Sequence, residues 1–299
     1  MHSLPPSSST PGASSSATVS VPDRALQWLA GFGFSGLVGL SILVFWLLTA
    51  LLGPSLLPRH LIDLQASVVY APMDMKHWLG TDYLGRDMLV RVVLGARYTV
   101  GVALVATLIA SSTGTVLALL AAATGSWLDA FISRLLDTLT SIPSKMFALV
   151  LVAGFGSSIG MLVFTAALLY VPGAFRIARS LAVNINALDY VTVARTRGEG
   201  TLYIMLREIL PNIIGPILAD LGLRFVYVVL LLASLSFLGL GIQPPEADWG
   251  SLVRENVDAL ADGGAAVIAP ALAIASLTIA VNLVIDNLPG RAARERKDR

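Results

Sequence analysis

Five stretches without a charged residue, 25–58, 98–128, 146–175, 225–245 and 263–285, dominate the pattern of this chain. A membrane crossing takes roughly 20 apolar residues, because the hydrocarbon layer is about 30 Å thick and a helix rises about 1.5 Å per residue. Water is absent at that depth. Every backbone N–H and C=O must then be bonded inside the segment, so these runs predict helices. Gly154-Phe155-Gly156-Ser157-Ser158 is a turn signal that divides the third run between two helices. Six spans result, near 34–53, 98–123, 131–154, 160–183, 216–239 and 266–288. Arg134, Asp137 and Lys145 interrupt the third. The fifth follows Pro216 and passes Asp220 and Arg224 before it becomes uniformly apolar.

Between Asp189 and Asn212 the pattern turns from uniform to periodic. Leu202, Met205, Leu206 and Ile209 fall at i, i+3, i+4 and i+7, the apolar stripe of an amphipathic helix. The segment reads as a short helix, a glycine break, a second short helix and a proline stop. Gly198 can take the left-handed conformation that ends the first helix. Pro211 lacks an amide donor and is expected to end the second. Apolar spans need no such device to sit in lipid. A polar two-helix unit at the membrane face suits the docking of a soluble partner; the plainer reading is a connecting loop lying on the membrane surface.

Composition settles the class. Charged residues make up 13% of the chain and the mean hydropathy is +0.78, whereas a soluble domain carries about 25% charged residues. The expected fold is all-α and polytopic, with six transmembrane helices. Arg291, Arg294, Arg296, Lys297 and Arg299 crowd one tail, and Arg176, Arg179, Arg195, Arg197 and Arg207 surround the two-helix loop. The positive-inside bias makes both cytoplasmic, and with six spans the N-terminus as well. Segment 59–97 argues the other way with Arg59, Lys76, Arg86, Arg91 and Arg97, but Asp63, Asp74, Asp82 and Asp87 sit among them. The chain divides into a Ser- and Pro-rich disordered cytoplasmic tail (1–24), a first span with its external loop (25–97), a transmembrane domain (98–288) holding the cytoplasmic loop 184–215, and a basic cytoplasmic tail (289–299). No basic region precedes a short apolar stretch, so the start reads as a tail and not as a secretory signal.

Chemistry-bearing motifs are sparse. The chain has no cysteine, which excludes disulfides, thiolate zinc sites and a lipidated cysteine. It holds no G-x-x-x-x-G-K-[ST] phosphate loop and no G-x-S-x-G elbow, and His2, His60 and His77 lie far apart. Gly156 and Gly160 read as loop glycines. Asp137 and Arg134, at i, i+3, read either as a pair settling a helix end or as part of a path for cargo. Lys145 sits deeper, where a charge marks a pathway or snorkels to the surface. In 77–87, Gly80 and Gly85 suit turns, and Asp82 and Asp87 can accept local backbone bonds. Trp249 beside Pro244-Pro245 suits an interfacial anchor.

Four motifs in order carry a resemblance. His77-Trp78-Leu79-Gly80-Thr81-Asp82-Tyr83-Leu84-Gly85-Arg86-Asp87 is followed by Gly95-Ala96-Arg97; then come Arg134-Leu135-Leu136-Asp137 with Ser141-Ile142-Pro143-Ser144. Tyr190 to Gly198 leads to Ile209-Leu210-Pro211-Asn212, and Ser236-Phe237-Leu238-Gly239-Leu240-Gly241 to Pro244-Pro245 and Asp248-Trp249-Gly250. Over roughly residues 25–290 the chain resembles the inner-membrane permease subunits of ABC importers for dipeptides, oligopeptides and nickel, of the C type, with the type I importer fold. The third motif looks like their EAA loop. Departures are Thr192 at its acidic position, Val193 for the following alanine, Lys145 at an apolar position, and Ile285 to Arg291 in place of the usual ending.

The resemblance implies a division of labour. A second, homologous permease completes the path, two ATP-binding subunits dock underneath, and an extracytoplasmic substrate-binding protein delivers cargo across the bacterial inner membrane. ATP and Mg would be bound by those ATPase subunits and not by this chain, which is not an enzyme; lipid surrounds it and no nucleic acid is involved. Thr192, Ala194, Arg195, Arg197, Gly198, Glu199, Leu202, Met205, Leu206 and Pro211 map onto the ATPase-coupling loop, and Asp137 and Lys145 are candidates for the path. Short peptides lead as cargo, with nickel chelates, opine-like metallophores and glutathione-type conjugates behind. A stand-alone secondary transporter would instead favour internal repeats with broken helices, and a membrane enzyme would need a clustered catalytic constellation.

Overall fold

The computed structural model describes residues 33–57, 68–262 and 264–288, so the predicted tails 1–24 and 289–299 lie outside the described residues. The helices are α1 (Phe34–Leu56), α2 (Met88–Thr124), α3 (Ser126–Thr140), α4 (Ser144–Phe155), α5 (Ile159–Asn186), α6 (Asp189–Thr196), α7 (Thr201–Phe237), α8 (Trp249–Glu255) and α9 (Ala265–Asp286). Among the described residues the β-structure is an isolated bridge between Thr81 and Asp87. Helices α1, α2, α5, α7 and α9 are each long and apolar enough to cross a membrane, and the bent pair α3–α4 makes a sixth candidate. The predicted spans near 34–53, 160–183 and 266–288 correspond to α1, α5 and α9.

Small residues set the spacing between helices. A Cβ on Gly114 of α2 would stand 2.5 Å from the Cβ of Ala174 and 2.8 Å from the Phe175 nitrogen on α5. Ala96, Ala103, Ala106, Ala110 and Ala118 line the same helix, fully buried. Within lipid, close approach of this kind supplies the dispersion contacts that hold helices together. Helix α9 runs against α1 in the same way: Gly39 meets Ala280 and Leu283, and the Trp46 indole donates to Ser276 Oγ at 2.9 Å.

Three spans differ from expectation. Helix α2 begins at Met88, ahead of the predicted 98, and runs 37 residues, about 55 Å. Its first turns carry Arg91, which is buried because partners surround it: Nη2 donates to Glu255 at 3.1 Å and Nη1 to the Pro245 carbonyl at 3.3 Å. The third span is not one helix but α3 and α4, bent by 81°. Pro143 has no N–H and disfavours helical backbone in the residue before it, so the chain restarts there, with the Pro143 carbonyl accepting from Phe147 at 3.0 Å. Two ion pairs, Arg179 with Asp129 and Arg176 with Asp137, hold α3 against α5. The fifth span and the second loop helix are one continuous helix, α7, which does not stop at Pro211.

At the Met88 end of α2 the loops form a polar platform. Gly80 and Gly85 have φ of 71° and 74°, and fully buried Asp82 accepts from the amides of Leu84 and Arg86. Asp87 caps α2 through Val90 and pairs with His77 at 2.9 Å. Asp248 caps α8 in a capping box with Ser251 and accepts from Ser236 of α7 at 2.6 Å. Trp249 is not an interfacial anchor. It is wholly buried, edge-on to Trp46 at 4.6 Å, and its indole donates to the Val92 carbonyl at 2.9 Å.

Candidate functional site

Residues 189–212 build a bracket at the Thr124 end of α2. Helix α6 ends in a Schellman arrangement: Gly198 N–H donates to the Arg195 carbonyl at 2.9 Å and Glu199 N–H to the Ala194 carbonyl at 3.2 Å. Gly198 has φ of 85°, the left-handed value that this closure needs. Gly200 then precedes α7. From Ile204 to Ile209 that helix is π-wound, and Leu210 N–H reaches back to the Met205 carbonyl. Winding to i+5 absorbs one extra residue and lets the chain pass Pro211 without ending. The side-chain amide of Asn212 covers the Glu208 carbonyl at 2.6 Å and also donates to the Tyr190 hydroxyl at 3.1 Å, tying α7 to α6.

The bracket has two faces. Val191, Ile204, Met205, Ile209, Ile213 and Ile217 are buried in one cluster with Ala122 and Ala123 of α2 and with Ala178 and Ala182 of α5, and Ala194 is buried as well. Tyr190, Val193, Leu202, Tyr203 and Leu206 are exposed, Leu202 to 66% and Leu206 to 48%. A large apolar surface left open and rimmed by polar groups marks an interaction site. Thr192, Arg197 and Arg207 are exposed beside it, and Glu199 is half-buried.

The predicted stripe therefore splits. Met205 and Ile209 pack inward while Leu202 and Leu206 face out, because π winding advances the buried positions by five, from Ile204 to Ile209. Ala194 is fully buried and presents no surface to a partner. Arg195 is exposed, but its guanidinium bonds back onto the Ala123 carbonyl at 3.0 Å and Asn186 Oδ1 at 2.8 Å. Pro211 lies within α7 and does not terminate it. Tyr190 and Val193 join the open face although the sequence marks neither as a coupling position; their signal is that they alternate with buried Val191 and Ala194 in α6.

Asp137 and Lys145 belong elsewhere. Asp137 pairs with Arg176 of α5 at 3.2 Å, not with Arg134, and Arg176 also donates to Thr140 at 2.8 Å. Lys145 is exposed in the first turn of α4, just past the break between α3 and α4.

Comparison with known proteins gives the family of the chain. Residues 114–294 match the family described as "Binding-protein-dependent transport system inner membrane component". The chain is 31% identical to the dipeptide transport system permease protein DppC of Alkalihalophilus pseudofirmus, over 84% of this chain and 83% of that one. It is 35% identical to the di/tripeptide transport system permease protein DppC of Pseudomonas aeruginosa, over 70% and 69%. The glutathione transport system permease protein GsiD of Pectobacterium atrosepticum is 34% identical over 71% and 70%. With its helical spans, its platform and its two-faced bracket, the chain belongs to the family of binding-protein-dependent transport system inner membrane components.

Proposed function

We propose that this chain is the membrane-spanning subunit of an ATP-driven importer of short peptides, and that the bracket 189–212 is the surface on which an ATPase subunit docks. The observation that carries this reading is the division of the bracket into a locked face and an open one. Buried Val191, Ala194 and Ile204 anchor it to the spans, while Leu202, Leu206, Val193 and Tyr190 are left for a partner. Helix-in-groove docking uses apolar anchors spaced in this way, and a few central ones carry most of the energy. The positive-inside bias, read from Arg197 and Arg207, supports a cytoplasmic bracket and an outward-facing platform turned toward a substrate-binding protein.

On this reading a second permease completes the path, and ATP with its Mg is held by the ATPase subunits. Loaded binding protein and ATP act as ligands that favour different states of the permease pair, and their differential affinities drive the cycle. The spans supply the two-state element and no covalent chemistry. Peptide cargo is favoured by relatives named for dipeptides and di/tripeptides, and a glutathione-type tripeptide is the second reading, from the relative named for it.

Leu206→Asp tests the docking surface. It puts a charge on the open face and leaves the buried face untouched, so the variant is expected to insert normally and to lose the ATPase subunits on purification. Normal co-purification with normal uptake would sink the docking reading. Mass spectrometry of the ligand released from the purified binding protein decides between peptide and glutathione-type cargo.

A further inference from the structure

Arg195 sits in α6, yet its side chain leaves the open face and reaches two other helices. One nitrogen, Nη2, donates to the Ala123 carbonyl and to Asn186 Oδ1. Ala123 is the penultimate residue of α2, where carbonyls have no helical amide ahead of them, and Asn186 is the last residue of α5. Both helix ends carry partial negative charge, which a guanidinium complements. The two N–H bonds of that one planar nitrogen reach both acceptors, and the guanidinium keeps its charge and its plane fixed while they do.

We infer that Arg195 is a positioning residue for transport: it fastens the docking bracket to α2, so that movement of the bracket reaches the opposite membrane face along that helix. This rests on the docking reading given above. Three routes lead from the bracket across the membrane. The two covalent ones carry prolines: α5, joined to α6 through Ala187 and Leu188, has Pro172, and α7 passes the π-wound turn Ile204–Ile209 and then Pro211 and Pro216, each of which removes or shifts a backbone bond and lets the helix bend. The route through α2 has no proline and no break over 37 residues. At its far end Arg91 is bonded to Glu255 and Pro245, and the Val92 carbonyl holds the Trp249 indole, so α2 is fixed to α8 and the platform there. Arg195 makes the corresponding attachment at the near end. The stiff route thus begins at Arg195, and the softer ones let α5 and α7 follow.

The test uses the full complex in proteoliposomes with Arg195→Gln and Arg195→Lys. The glutamine variant is expected to retain the ATPase subunits and hydrolysis within about twofold, while uptake per ATP falls at least about tenfold; lysine recovers part of it. A second readout uses the absence of native cysteines. Spin labels at Thr196→Cys on α6 and Leu89→Cys at the far end of α2 are expected to keep one separation with and without ATP in the parent, and two separations in Arg195→Gln. Unchanged uptake per ATP, or one separation in both proteins, overturns the inference. Loss of the ATPase subunits from Arg195→Gln also overturns it, making Arg195 a docking contact and leaving the docking reading intact. If Leu206→Asp keeps its ATPase subunits while Arg195→Gln is uncoupled, the docking reading fails and the tie stands. Should Arg195→Gln not assemble, Asn186→Ala, which removes one acceptor, is expected to lower uptake per ATP about threefold, and parent-like coupling in it counts against the tie.

Discussion

Arg224 of α7 donates through Nη1 to the backbone carbonyl of Tyr170 on α5, at 2.9 Å, and the Tyr170 hydroxyl donates back to the Tyr227 carbonyl of α7 at 3.0 Å. The same guanidinium pairs with Asp220, one turn earlier, at 2.6 Å. Gly173 makes room for it: a Cβ there would stand 2.8 Å from Arg224 Nη1. Both charges are nearly buried, at side-chain exposures of 7% and 13%. Charges at this depth persist because they satisfy one another and join two spans by side chain and backbone together.

Removing one partner of this pair strands the other. Arg224→Met leaves the Asp220 carboxylate buried and unpaired, a change that costs about 3–5 kcal/mol in comparable pairs. The complex is therefore expected to melt well below the parent in detergent. Arg224→Met with Asp220→Leu removes both charges and is expected to recover most of the loss. A double variant no more stable than the single one would show that the Tyr170 contact, and not the ion pair, holds α5 to α7.

At the platform, Asp248 is both a helix cap and a buried acid. Burial pushes its carboxyl above the usual carboxylate range, against the opposing pull of hydrogen bonds from Ser236, Ser251, Ile242 and Gly250. The folded protein then binds that proton more tightly than the unfolded chain does. Its contribution to stability is complete below the ordinary value of 3.8 and is lost as pH rises through the raised one. Asp248→Asn keeps an acceptor for the Ser251 amide and never ionises. Its melting temperature is expected to gain on the parent as pH goes from about 4 to about 7, whereas Asp248→Ala, without a cap, loses about 0.5–2 kcal/mol throughout. A constant difference between Asp248→Asn and the parent across that range would mean that the acid does not titrate in the folded state.

What the sequence makes legible is what local chemistry decides. Uniform apolar runs announce α1, α5 and α9, and Gly198 announces the end of α6, because no tertiary contact is needed to explain either. The rest depends on partners distant in the chain. Arg91 and Arg97 look like loop charges, yet they lie in the first turns of α2, and Arg91 is buried only because Glu255 and Pro245 come to meet it. Asp137 has Arg134 one turn away, but its partner is Arg176, on a different helix. Trp249 beside two prolines looks interfacial until Trp46 and the Val92 carbonyl enclose it. Pro211 reads as a stop because a proline denies one α-helical bond, and nothing in the local pattern signals the π turn that absorbs it. In the bracket, period-3.6 reasoning places Met205 and Ile209 on one face with Leu202 and Leu206, and the extra residue of the π turn separates them.

Gly198 permits a prediction free of packing effects. Its φ is 85°, and a Cβ built on it meets nothing within 4 Å, so any cost of substitution is conformational and not steric. A left-handed residue other than glycine costs about 1–3 kcal/mol, least for asparagine, whose short amide bonds locally, and most for a β-branched residue. The order of function expected is therefore Gly198→Asn, then Gly198→Ala, then Gly198→Val. Relief of the strain opens the bonds from Gly198 to Arg195 and from Glu199 to Ala194, and re-aims the start of α7 relative to α6. Leu202 and Leu206 then no longer share an open face with Tyr190 and Val193. Insertion depends on the spans and is expected to survive in all three variants. The measurements are co-purification of ATPase subunits and cargo-stimulated hydrolysis in proteoliposomes, read across the series. Equal activity in Gly198→Asn and Gly198→Val would remove the left-handed cap from the account of docking, since the two differ chiefly in how well they tolerate that backbone.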